Sequence, residues 1–283
     1  MKKFTTAETR AFYNQEDVIY RSFWDRKGNC HWGYFPCRGT PFGRAMRVHS
    51  QRMLTLASIT SGARVLDLGC GNGVNSYFLH RKTGCFVEGV DLSDVRIASA
   101  ERVYRAAERG NVRDFLRFSQ GSAEHLSFPD ASFTHMWSQS TLYHVHNKNR
   151  ALREVYRVLH QNGIFVFDDL IRPNRTVSRE AERYVYERLK FTTNFSFVGY
   201  QQALARVGFN VLYAEDLSYH FALSYWKLAD RLEQFLAQGK YPQYHATYRR
   251  LIKAYRKTWN LVERGDVGWA LYLCHKPFGG GKL

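Results

Sequence analysis

The run Val65-Leu66-Asp67-Leu68-Gly69-Cys70-Gly71-Asn72-Gly73 constrains the fold more than any other stretch of this 283-residue chain. A short aliphatic strand ends in glycines at alternate positions, and a helix-like segment, 74–81, follows at once. Glycine at such a turn lets a ligand approach the backbone, because no Cβ blocks it and positive φ costs little. The free amides and the helix N-terminus suit a polar or anionic group. Asp91 follows Asp67 by 24 residues, closing the next strand-like run, 85–90. A carboxylate there can take both hydroxyls of a ribose. Strand, glycine loop, helix, strand and acid occur in that order, and nucleoside binding is the expectation.

The rest of the chain extends the alternation. Further strands are expected at 114–119, 132–138, 163–168, 208–213 and 267–275, with helices at 95–109, 149–159 and 197–207. Strands alternating with helices argue for βαβ units and a parallel sheet covered on both faces. Gln161, Asn162 and Gly163 read as the stop of the helix before them. Residues 178–190 read as a charged helix. Residues 1–60 are rich in aromatics and read as an N-terminal helical lid, 61–214 as the core, 215–265 as a helical cap insertion, and 266–283 as the final strand and tail. No apolar run approaches the roughly 20 residues that cross a bilayer. The five cysteines show no CxxC spacing, so neither a metal site nor a disulfide framework is expected. A reduced, soluble, cytoplasmic protein is the expectation.

Which nucleoside cofactor binds follows from charge. A nicotinamide fingerprint wants glycine at the sixth position counted from Gly69, and Val74 stands there. Asp67 would crowd a pyrophosphate but welcome an ammonium. S-adenosylmethionine carries an ammonium, a sulfonium and a ribose, and no phosphate, so it is the better match. VLDLGCGNG, GVDLS, GSAEHLSFPDASFTHMWSQSTLYHV and ALREVYRVLHQNGIFVFDD, in this order, resemble the class I S-adenosylmethionine-dependent methyltransferases over residues 45–215. The resemblance implies an α/β, Rossmann-like, mostly parallel seven-stranded sheet and direct displacement at the sulfonium. It implies that Asp67, Gly69 and Gly71 line the methionine and ribose end, Asp91 binds the ribose, and Leu92 packs on adenine. Ala123 would offer its backbone to the adenine edge beside Ser122, where relatives carry Asp. Ser138 and Gln139 would face the transferred methyl.

Tyr13-Asn14 and His31-Trp32-Gly33-Tyr34 resemble the lid of small-molecule members such as sarcosine/dimethylglycine and tocopherol methyltransferases, in which a tyrosine such as Tyr13 or Tyr20 closes the pocket. Ser140-Thr141-Leu142-Tyr143 is similar to prenyl-diphosphate methyltransferases. Those place an acid where this chain has Gln139, which cannot serve as a base. His144 is then the first candidate for proton removal, with His146 and His220 also in view, while Tyr143 and Gln139 complete the candidate catalytic set.

Charge is uneven along the chain. Net charge is +16, divided as +6 over residues 1–63, +1 over 64–170 and +9 over 171–283. A basic excess on both flanks admits an anionic acceptor, a nucleic acid or a solvated face. A small, anionic, partly apolar acceptor is expected, whether isoprenoid diphosphate, lipid or natural product. Mg2+ would be called for only by a diphosphate. The alternatives are N- or O-methylation of a small amine or neutral metabolite, an RNA methyltransferase or RNA-binding protein, and a noncatalytic regulator. Ser138-Gln139-Ser140-Thr141 is not the NPPY or DPPY type used on flipped bases, and no RNA-binding module is visible. Oligomeric state stays open.

Overall fold

Strand β1 (Arg64–Leu68) is buried from its second residue onward, the pattern of a strand covered on both faces. The computed structural model describes residues 4–106, 115–191 and 195–278. Within them, β1 lies at the middle of a seven-stranded sheet of order β3-β2-β1-β4-β5-β7-β6. The other strands are β2 (Phe86–Asp91), β3 (Leu116–Gln120), β4 (Phe133–Gln139), β5 (Leu159–Ile171), β6 (Asn210–Asp216) and β7 (Gly268–His275). The first five pair in parallel, and β7 runs antiparallel to both its neighbours. Chain order reverses between β1 and β4, which opens a crevice at their carboxyl ends.

Helices α3 (Val74–Thr83), α4 (Asp94–Ala106), α5 (Lys148–Val158) and α7 (Phe197–Val207) complete the core. The predicted start of the third strand at Asp114 and helix end at Arg109 lie outside the described residues. Residues 178–190 are not one helix. A single turn, α6 (Arg179–Ala181), passes into a π-helical turn, Glu182–Tyr186, and then irregular turns. Asn162 and Gly163 do not stop the helix before them, since α5 ends at Val158 and both lie within β5. Asn162 takes φ +62°, and the β4–β5 register jumps from Phe133↔Leu159 to His135↔Ile164, so they form an irregularity inside β5.

The flanks build the cap. Helices α1 (Thr6–Phe23) and α2 (Phe42–Ala57) precede the sheet, while α8 (Ser218–Ala237) and α9 (His245–Glu263) are inserted between β6 and β7. Phe23 of α1 packs on Tyr248 and Tyr255 of α9, with ring centroids 5.8 and 6.4 Å apart. Trp24 meets Tyr225 of α8 at 5.9 Å. These rings bury large apolar areas at low conformational cost, which binds the two flanks into one aromatic layer.

Candidate cofactor cleft and active site

The glycine loop is shaped by three positive φ angles, at Gly69, Gly71 and Gly73. Gly69 sits at φ +79°, and a Cβ there would lie 2.1 Å from Oγ1 of Thr141, so no side chain fits. Gly71 sits at φ +54° and donates its amide to Oδ2 of Asp91 at 2.9 Å. The Ser93 amide donates to the other carboxylate oxygen at 2.8 Å. Asp91 is thereby held at the cleft wall.

Helix α1 closes over this cleft through polar contacts. Buried Asp17 accepts from Nε of Arg96 at 3.1 Å, Nε of Arg21 at 2.6 Å and Nδ2 of Asn72 at 2.9 Å. Arg10 and Asn14 hold Asp94 at 3.0 and 3.1 Å. Tyr13 bonds Nε2 of His144, and its hydroxyl lies 3.4 Å from that of Tyr143. The cleft encloses a cavity volume of about 130 Å³ and opens to solvent.

Most of the expected residues meet on its wall. Gly69, Gly71, Asp91 and Leu92 line it from the loop and β2, Ser122 and Ala123 from beyond β3, and Tyr13 of α1 meets His144, with Gln139 and His146 also on the wall. Five do not line it, the first being Tyr20, which is buried against Phe12, Phe23 and Trp24. Strand alternation places Asp67 beside Val65 on the α3 side, where it accepts from Oγ of Ser76 at 2.6 Å. Ser138 is fully buried and donates to the Leu68 carbonyl at 2.9 Å, tying β4 to β1. Tyr143 stands one layer behind Tyr13, reaching it only through the two hydroxyls. His220 packs on Tyr34, with centroids 4.1 Å apart, and accepts from the Phe35 amide at 3.2 Å, away from the cleft.

Asp67 carries a testable electrostatic signature. Burial pushes its carboxyl up to about 7, against the bond from Ser76. The folded chain then keeps a proton that the unfolded chain has lost between about pH 4 and 7. That stabilisation is full below the ordinary carboxylate range and is lost as pH rises through about 7. Asp67→Asn should therefore flatten the fall in melting temperature between about pH 5 and pH 8. Identical slopes for variant and wild type would show that Asp67 ionises freely.

Sequence reasoning missed several groups. Arg96 lies on the cleft wall with its guanidinium 4.2 Å from the Tyr13 ring centroid, and its Nη2 is buried without a partner. Nε2 of Gln139 is likewise unpartnered, while its Oε1 accepts from Ser50 at 3.4 Å. Buried polar groups in native proteins are nearly always paired, so such atoms mark where a ligand's polar groups belong. Asp91 for a ribose diol and Arg96 for an amino-acid carboxylate fit S-adenosylmethionine.

His31 was visible only as part of a lid motif. It lines the cleft, and Nδ1 donates to the Trp32 carbonyl at 2.8 Å, which leaves Nε2 as the acceptor beside Asn29 at 2.9 Å. In His144, Nδ1 faces the Lys190 carbonyl at 3.3 Å, and Nε2 accepts from Tyr13. Burial lowers the two rings to about 4 and about 3. Both imidazoles are neutral at pH 7, the form in which a ring nitrogen can take a proton, and burial makes them weak bases.

Beneath the cleft, two adjacent carboxylates fix the turn after β4. Asp168 accepts from the amide and hydroxyl of Ser140, both at 3.0 Å, from Nε1 of Trp269 at 2.8 Å and from Nε2 of His49 at 2.8 Å. Asp169 accepts from the Tyr143 amide and from Nζ of Lys148 at 2.8 and 2.9 Å.

The model of a methyltransferase domain matches residues 66–167. Over 280 residues, 98% of this chain and the whole of the relative, the chain is 27% identical to the 27-O-demethylrifamycin SV methyltransferase of Amycolatopsis mediterranei. It is 26% identical over 276 residues, 94% of this chain and 95% of the other, to the sarcosine/dimethylglycine N-methyltransferase of Halorhodospira halochloris. The solved cyclopropane synthase MmaA2 of Mycobacterium tuberculosis shares the fold, with a TM-score of 0.84 at 16% identity over 97% of this chain and 99% of that one.

Proposed function

Because the chain belongs to the class I S-adenosylmethionine-dependent methyltransferases, we propose that it methylates a small, partly apolar, anionic acceptor at the lid end of the cleft. The observation that carries this is the meeting of Tyr13, His31, Gln139 and His144 on one wall of the cleft beneath α1. The relatives are named for unlike acceptors, a rifamycin derivative and two small amino acids. Fold and family therefore leave the acceptor to be read from the pocket. An enclosed site with an apolar wall and a few polar anchors suits a small molecule. The anionic reading is supported by the basic flanks, +6 over residues 1–63 and +9 over residues 171–283, from which the cap helices come.

When bound, S-adenosylmethionine supplies an electrophilic methyl group on a sulfonium. The chain's own contribution is to bind and to orient. Tyr13 and the Asp17 network hold α1 shut, and Ser50 turns the Gln139 amide so that Nε2 is presented as a donor. His31 and His144 are placed to take the proton from an O–H or N–H acceptor. An acceptor that attacks through carbon calls for the same neutral bases. Among the described residues, no group of three or more His, Cys, Asp or Glu side chains could hold a metal. An isoprenoid diphosphate would have to arrive with its own Mg2+. No helix among them is long and apolar enough to cross a membrane.

The test is turnover of labelled S-adenosylmethionine over apolar carboxylic acids, prenyl diphosphates with and without Mg2+, small amines and bulk RNA. Activity on anionic small molecules is expected. The pH profile of kcat/KM should show no histidine inflection near 6.5, since both rings stay neutral there. Activity confined to neutral or cationic acceptors would refute the anionic pocket and leave methyl transfer standing. Turnover on RNA would assign the basic flanks to nucleic acid.

A further inference from the structure

Arg188 carries a guanidinium with too few partners. The residue as a whole is only partly buried, yet Nη1 and Nη2 are both shut off from solvent and make no hydrogen bond. Nε alone is used, donating to the Tyr184 carbonyl at 2.8 Å. Two rings from the cap insertion clamp the guanidinium, Tyr225 of α8 at 4.9 Å and Tyr255 of α9 at 5.0 Å. Their hydroxyls are also buried, and neither makes a hydrogen bond of full geometry, although that of Tyr225 lies beside the guanidinium. No Asp or Glu among the described residues pairs with Arg188.

The unpaired groups share a chemistry. A guanidinium offers donors only, and each phenol adds another. A buried charge without a counter-charge is costly, and native interiors seldom keep one. The ring clamp offsets part of that cost, and its phenol oxygens can accept a hydrogen bond, but it supplies no negative charge. The missing partner is therefore an acceptor group with negative charge. A file of rings connects the cluster with the cleft. Tyr13 meets Tyr143 through their hydroxyls at 3.4 Å, Tyr143 lies 6.0 Å from Trp32, and Trp32 lies 6.2 Å from Tyr225.

We propose that Arg188, Tyr225 and Tyr255 form the subsite that holds the carboxylate end of the acceptor, its apolar body lying along this file of rings. The proposal rests on the methyltransferase reading, because it assigns the far end of that enzyme's second substrate. One guanidinium balances one negative charge, which selects a carboxylate over a diphosphate. A diphosphate would bury more charge than Arg188 cancels. The planar fork matches the two oxygens of a carboxylate. Because the four groups are closed off, entry requires the rings to part, and Trp32 fluorescence should change on binding.

The experiment is calorimetry on the full chain saturated with S-adenosylhomocysteine, titrated with octanoate, cinnamate, their methyl esters and geranyl diphosphate. Each carboxylate should bind at least about tenfold more tightly than its ester. Arg188→Met should abolish that preference and leave S-adenosylhomocysteine affinity unchanged. The double variant Tyr225→Phe/Tyr255→Phe, which removes two hydroxyls and little volume, should weaken the acids severalfold and serves if Arg188→Met does not fold. Equal affinity for acid and ester in wild type, or a preference that survives Arg188→Met, would overturn the subsite. Tighter binding of geranyl diphosphate than of either acid would overturn the carboxylate assignment. Failure of S-adenosylhomocysteine itself to bind would strike the methyltransferase reading instead.

Discussion

Asp91→Ala should weaken S-adenosylhomocysteine binding by on the order of a hundredfold or more. The carboxylate is the one acid held on the β2 side of the cleft, oriented by the amides of Gly71 and Ser93 at 2.9 and 2.8 Å. A pair of charge-assisted hydrogen bonds to a ribose diol is worth roughly 1.5–3 kcal/mol for each bond. The substitution also leaves both amides without their acceptor, which loosens the glycine loop. Asp91→Asn keeps one oxygen and should fall between wild type and alanine. Calorimetry is the measurement. Unchanged affinity in the alanine variant would refute the assignment of this carboxylate to the cofactor.

Asp168→Ala should be among the most destabilising single changes in the core. Four donors converge on this carboxylate, from His49, Trp269 and both polar atoms of Ser140, and its side chain is completely buried. Burial would raise such an acid, but His49 and Trp269 hold it below its ordinary range, so it is charged and fully engaged. Removing one partner of a buried pair costs about 3–5 kcal/mol, because the groups left behind have no water to turn to. In a chain of this size that lowers the melting temperature by about ten degrees. Ser140→Ala removes one donor and should cost far less. A melting temperature for Asp168→Ala within a degree or two of wild type would show that the network contributes little.

What could be read from the chain follows from how far apart the interacting groups lie. The strand–glycine–helix turn is local, and its φ requirements and alternation are written in consecutive residues. The cleft wall from Tyr13 to His144 followed because each residue sits at a strand end or a lid position that the motif order specifies. Asp67 was misplaced by a single step of alternation, since a strand end and a strand face differ by one residue. The Asp168 network joins groups 119 and 101 residues apart, and nothing in sequence pairs His49 or Trp269 with it. Arg188 sits in a charged segment whose composition reads as a solvated helix. The π-turn and the clamp from α8 and α9 bury it instead, and that requires the folded cap.

The position of β7 has a consequence for how the protein is made. It lies between β5 and β6, so two strands synthesised earlier have no common neighbour until residues 268–275 are available. Until then β5 presents an open edge and β6 has nothing to pair with, and exposed edges of this kind invite pairing with other chains. The parallel half, β1 to β5, can assemble during synthesis, and the antiparallel half must wait. Contacts closed over such separations are slow to form. The nascent chain therefore passes through a stage in which the insertion α8–α9 hangs from an unpaired strand. That stage is where a chaperone would be needed most.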